Sequence, residues 1–125
     1  MAKIEFDLKD GITVGGQQEK HVVLRELTAG DIIDAGEESE KVVYSPRGEP
    51  TMVQSSVIMG AQIMCRQVAK LGTLQGPLDL DFLKKFTEAD FSLLQLKCAE
   101  LDSVAKKEVE VLNGRGRESD GSAGN

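Results

Sequence analysis

Two stretches of the chain carry the same spacing of a hydroxyl and a carboxylate: LTAGDI at 27–32 and FTEADF at 86–91. If Asp31 and Asp90 met in space, they could serve as a general acid–base pair or as two ligands of a metal. A second candidate is a nucleophile pair, with His21, the only histidine, activating Cys65 or Cys98. A zinc site would need His21, both cysteines and a carboxylate to converge, and no ligand spacing supports that. The acidic run Asp31, Asp34, Glu37, Glu38, Glu40 lacks the alternating ligands and closing glutamate of a calcium loop. It reads as a solvated helix face. Gly15-Gly16 has none of the context of a phosphate-binding loop and reads as a turn.

Positional arithmetic favours a structural role for the two aspartates. A threonine hydroxyl at an N-cap accepts a hydrogen bond from an orphan amide of the first helical turn. With Thr28 as cap, Asp31 is the third helical residue, which can return a bond to the cap amide. Leu27 and Ile32 then sit at the positions of a hydrophobic staple. Thr87, Asp90, Phe86 and Phe91 obey the same rule. Capping explains the Thr, the Asp and both apolar flanks, whereas a carboxylate pair explains only the Asp. Thr28, Asp31, Thr87 and Asp90 are therefore expected to start two helices. No catalytic residue, metal site or cofactor is expected.

The totals narrow the field further. With 125 residues there is room for one domain. The formal net charge of −6 and the absence of Trp argue against nucleic-acid binding, which wants a basic surface and stacking aromatics. The two cysteines are too few for a disulfide framework and lie in apolar periodic segments, as buried thiols do. The N-terminus MAKIEFDLKD has no signal-peptide core, and no apolar run reaches the ~18 residues of a membrane span. A soluble chain without membrane contact is expected.

The elements that position these residues follow from periodicity. KIEFDL alternates apolar and charged residues, as in a half-buried strand. Asp10-Gly11 signals a turn, Ile12–Val14 a short run, and HVVLREL at 21–27 another strand. A short helix should run from Thr28 to about Gly36, KVVY at 41–44 should be a brief strand, and SPRGEP a loop. From about Val53 to Leu71 the apolar steps Val57, Ala61, Met64, Val68, Leu71 predict one helix, stopped by Gly72. GTLQGP is then a linker. A short helix starts at Leu80 or Asp81, and the longest one follows Thr87, ending near Leu112. The sequence thus predicts an α+β fold: a small N-terminal antiparallel β segment, then three to four helices. Residues 1–112 form the single domain, and 113–125, poor in anchoring residues, form a disordered tail.

One feature exceeds what a small core requires. Met52, Met59 and Ile63 form a second apolar row on the 53–71 helix, roughly opposite the first. A helix apolar on two sides is either sandwiched in a core or open to a partner, and Met suits adaptable surfaces. Both readings stand on the sequence.

The order strand KIEFDL, turn DG, strand HVVLREL, then TAGD entering a helix resembles the small tail assembly chaperones of contractile-tailed, Mu-like phages and prophages. The resemblance rests on LRELTAGD (24–31) and FTEADF (86–91) and covers roughly residues 3–105. KVVYSPRGEP is longer than that family leads one to expect between the first two helices. The resemblance implies a non-enzymatic protein of the host cytoplasm. It would bind the tape-measure protein, keep its apolar helices soluble and recruit tail-tube subunits. It also implies a longer frameshifted product in many members and leaves self-association open. The competing expectations are a structural subunit of a tail or baseplate, and a small thiol enzyme.

Overall fold

The structure, a computed structural model, describes residues 2–117. The chain opens with a strand of alternating burial, β1 (Lys3–Val14), which turns at Gly15-Gly16 into β2 (Gln17–Arg25). The two pair antiparallel, Ile4 opposite Leu24 and Phe6 opposite Val22, which puts their apolar side on the core. Both turn glycines have positive φ, 58° and 82°, which suits a tight hairpin. Asp10-Gly11 is therefore not a hairpin turn. It lies inside β1, where the register with β2 shifts between Asp7 and Ile12. The signal was correct about the backbone, since Gly11 has φ 76°, but that conformation here makes a kink within one strand.

Thr28 caps α1 (Ala29–Glu38), which leads through buried Ser39 into a hairpin of β3 (Glu40–Tyr44) and β4 (Pro50–Gln54). The SPRGEP segment is the turn of this hairpin. Ser55 then caps α2 (Ser56–Gln67) by accepting the Ile58 N–H at 3.3 Å.

The expected helix over 53–71 is thus corrected at both ends. Met52 and Val53 belong to β4. Val68–Leu71 is β5, which pairs antiparallel with β2, and β6 (Leu74–Gln75) closes a tight hairpin after it. Val68 and Leu71, three apart, suit a helix face, and a regular strand would point them to opposite sides; the register shift against β2 between Val23 and Leu24 lets both be buried in a strand. Gly72 turns the hairpin at φ 59°. A Cβ there would lie 2.5 Å from the Glu19 carboxyl carbon, and that carboxylate accepts the Thr73 N–H at 2.9 Å.

The main sheet is therefore four-stranded, in the order β1-β2-β5-β6. Asp79 caps the short α3 (Leu80–Leu83), and α4 (Glu88–Arg117) lies against β1 and the core. The core gathers Leu8, Val22 and Leu24 from the sheet, Met64 and Cys65 from α2, and Leu94, Cys98 and Leu101 from α4. The fold is α+β as expected. Helix α4 runs five residues beyond the expected end at Leu112. No proline lies in its path, and Leu101 is its last buried residue among those whose burial is described. The rest of the expected tail, 118–125, lies outside the described residues.

Candidate functional site: an apolar groove along the second helix

The two Thr-x-x-Asp stretches do different work. At α1 the capping box is complete: Asp31 N–H donates to Thr28 Oγ1 at 3.2 Å, and Thr28 N–H donates to Asp31 Oδ2 at 2.8 Å. Arg25 adds a bidentate contact, 2.8 and 2.9 Å, and holds the Asp31 carboxyl well below the usual carboxylate range. At α4 only half the box forms. Asp90 N–H donates to Thr87 Oγ1 at 3.2 Å, but the Asp90 carboxylate turns away from the cap. It accepts the backbone N–H groups of Lys9 at 2.7 Å, Asp10 at 3.2 Å and Gly11 at 2.9 Å, in the kink of β1. Asp90 is fully buried. The expectation that it closes its own capping box is corrected: three orphan amides of a distant strand outcompete one cap amide. Asp31 and Asp90 do not meet.

Nor do His21 and the cysteines. Both imidazole nitrogens of His21 are taken on the exposed side of the sheet, Nδ1 by Asp7 at 2.7 Å and Nε2 by Glu5 at 3.1 Å. Cys65 and Cys98 are buried, and desolvation pushes their thiols up to about 11 and about 12. Among the described residues no group of three or more His, Cys, Asp or Glu is arranged to hold a metal. No described helix is long and apolar enough to cross a membrane.

What the surface does offer is apolar relief around α2. A groove of about 500 Å³ runs between α2 and α4, lined by Val57, Gly60, Ile63 and Met64 on one side and Phe91 and Cys98 on the other. A second hollow of about 450 Å³ continues it toward α3, with Leu80, Leu83 and Phe86 in its wall. Val57, Ala61 and Phe91 line both, so the two form one trough. Val57 is 81% exposed at its centre. Leaving a branched aliphatic side chain open to water in an apolar trough is costly, and such troughs accept helical or extended apolar segments. Charged groups stand at its two ends, Lys84 and Glu88 at one and Asp102 at the other, where Asp102 accepts a bond from buried Gln67 Nε2 at 3.1 Å; Ser56 and Gln95 are its other polar lining residues.

The predicted second row on the helix is dispersed. Met52 lies on β4 and is exposed. Met59 turns toward α1, half-buried, with the Ser39 hydroxyl 3.7 Å from its sulfur. Of the three, only Ile63 reaches the groove. Val57 and Ala61, which the periodicity assigned to the core side, form its wall. Both rows of the helix are apolar, so the spacing held no signal for which one stays open. The deciding fact is tertiary: α2 starts at Ser56, and Val57 in its first turn has nothing packed over it.

The sequence model of the tail assembly protein gp41 family of phage Mu type matches residues 8–117. The chain belongs to this family. It is 38% identical over 112 residues to the probable tail assembly protein gp41 of Escherichia phage Mu, covering 86% of this chain and 77% of that one. It is 33% identical over 108 residues to the Mu-like prophage FluMu protein gp41 of Haemophilus influenzae, covering 86% and 84%. The probable tail assembly protein FS-gp41 of phage Mu is 43% identical over 93 residues, which is 71% of this chain and 49% of that one. No solved structure matches significantly. The gp41 family match spans both Thr-x-x-Asp stretches and the whole groove.

Proposed function

We propose that this gp41-family protein is a tail assembly chaperone that holds apolar helical segments of the tape-measure protein in its α2–α4 groove and brings tail-tube subunits to that complex in the host cytoplasm. The observation that carries the proposal is the exposed trough centred on Val57, joined to membership of a tail assembly family. A long apolar helix entering the trough would cover Val57 and Phe91 and leave the rim charges in solvent. The chemistry required is burial alone; Cys98 on the floor stays protonated.

Co-expression with the tape-measure protein tests this. The wild-type chain should raise the partner's soluble fraction and be pulled down with it. Val57→Asp and Ile63→Asp should weaken capture while leaving the circular dichroism and melting of the free chain intact for Val57, which is the more exposed. Unchanged tape-measure solubility with and without this chain would sink the proposal. Recovery of the chain from purified tails by mass spectrometry would instead make it a built-in subunit.

A further inference from the structure

The β3–β4 hairpin stands apart from the core, with all ten of its strand residues exposed. Two-stranded hairpins of this length are marginal in water unless something covers them. Its base and turn are tied down, by Ser55 N–H to Ser39 O at 2.9 Å and by Ser45 N–H to Glu49 O at 2.9 Å. Its faces are not covered: on one, Tyr44 is 69% exposed and Met52, beside Val42, is 61% exposed, and on the other Val43 is 42% exposed.

The outer edges differ. Those two bonds place Ser39/Ser55 and Ser45/Glu49 as hydrogen-bonded pairs, so the alternation makes Val42/Met52 a non-bonded pair. Met52 and Gln54 therefore aim N–H and C=O outward from β4, and Pro50, which has no N–H, aims only its carbonyl outward. β3 carries Glu40 and Lys41, charges of the kind that blunt an edge, whereas β4, PTMVQ, carries none.

We infer that two copies of this chain join antiparallel along β4, about a two-fold axis at Met52, into a four-stranded sheet β3-β4-β4-β3. Met52 faces Met52 of the second copy and exchanges two hydrogen bonds with it, and each Gln54 N–H donates to the other copy's Pro50 carbonyl. The missing Pro50 N–H falls at the end of the ladder. Val42 and Met52 of both copies then form one continuous apolar row. The charges favour a second copy over an unrelated strand. Helix α2 has no acidic residue in its first turn. The same register sets Glu49 of one copy opposite the cap, Ser55, of the other, where an acid stabilises a helix N-terminus.

The test uses the full chain. Sedimentation over a concentration series should give twice the chain mass for wild type. Met52→Asp, which sets two carboxylates against each other on the axis, should give the monomer mass. Met52→Cys should cross-link under a mild oxidant, because hydrogen-bonded antiparallel residues have Cα atoms about 5.5 Å apart, within disulfide reach. Val53→Cys should not, because its two copies would be roughly 8 Å apart on the other face. The native cysteines are buried and do not compete. A monomer at every soluble concentration overturns the inference. So does a dimer that survives Met52→Asp while Met52→Cys stays uncross-linked, or cross-linking through Val42→Cys in its place. Val57→Asp should leave the dimer mass unchanged, which separates this result from the fate of the groove. Loss of tape-measure capture in Met52→Asp with wild type monomeric would assign β4 to that partner and overturn the pairing.

Discussion

Asp90 and Gly11 lie 79 residues apart in sequence, and the Gly11 N–H donates to Asp90 Oδ2 at 2.9 Å. The same carboxylate holds the amides of Lys9 and Asp10, while Thr87 Oγ1 donates to Asp10 Oδ2 at 2.8 Å. The start of α4 is thereby latched to the kink of β1, and one wall of the groove inherits its position from that latch, since Phe91 follows Asp90 directly. A residue that sequence arithmetic places in a local cap is spent on a tertiary contact that sets where the groove's wall stands.

Removing the latch should therefore cost more than removing a cap. Asp90→Ala leaves three inward backbone amides without an acceptor, and we expect a loss of about 3 kcal/mol. Thr87→Ala should cost about 1 kcal/mol, as an N-cap does. Gly11→Ala should cost about 2 kcal/mol or more, because its φ is 76° and the new Cβ would stand 2.5 Å from the Glu19 carbonyl oxygen. Urea titrations of the three variants measure the order. Equal losses for Asp90→Ala and Thr87→Ala would mean that the cross-chain bonds contribute nothing.

The fold was legible wherever a local pattern agreed with its tertiary setting. KIEFDL, HVVLREL and the start at Thr28 are strands and a helix on their own terms, and burial confirms them. It was illegible where two settings share one spacing. Val68 and Leu71, three apart, fit a helix face or an irregular strand, and only the pairing with β2, whose register shifts there, separates them. Asp10-Gly11 marks a positive φ without saying whether the strand turns back or kinks. The groove was half legible: Ile63 was named, but Val57 read as part of the first apolar row and Phe91 as a staple, because exposure of an apolar side chain depends on what fails to pack over it.

Acid should weaken the protein through Asp31. Its carboxyl is held low, first by the hydrogen bonds from Arg25, so the unfolded chain binds the proton more readily than the folded one. The stabilisation is complete above the unfolded value of about 4 and is lost as pH falls below it. Arg25 is partly open to solvent, so we expect about 1 kcal/mol. The Glu19 carboxyl, lowered by its bonds from Thr73, acts in the same direction. Comparing urea stability at pH 6 and pH 3 for wild type and Arg25→Met measures the effect. An equal acid-induced loss in both proteins would clear Arg25 of any part in it.

Base should act through His21 with the opposite sign. Hydrogen bonding to Asp7, then to Glu5, raises its pKa above 6.5. Its contribution is therefore present in full below about 6.5 and disappears as pH rises through the folded value. As the only histidine, it gives a single imidazole resonance to follow by proton NMR. The midpoint should lie above 6.5 and fall in Asp7→Asn. A midpoint at or below 6.5 in wild type would mean that the two carboxylates do not hold the ring in solution.

The two thiols give a readout of the groove. Burial pushes Cys98 up to about 12, so at pH 8 roughly one molecule in ten thousand carries the thiolate, against a sizeable fraction for an open cysteine. Cys65, pushed up to about 11, is shielded similarly and is fully buried on the core side of α2. Native protein should therefore react slowly with a disulfide reagent, and both thiols should react at once in urea. Of the two, Cys98 lines the groove and Cys65 does not, so a partner segment seated between α2 and α4 should slow Cys98 further and leave Cys65 unchanged. Mass-spectrometric counting of labelled Cys98 against Cys65, with and without a tape-measure fragment, separates these cases. Rapid native labelling of either thiol would restore thiol chemistry as a competitor. A partner that protects both equally would be acting on global stability rather than in the groove.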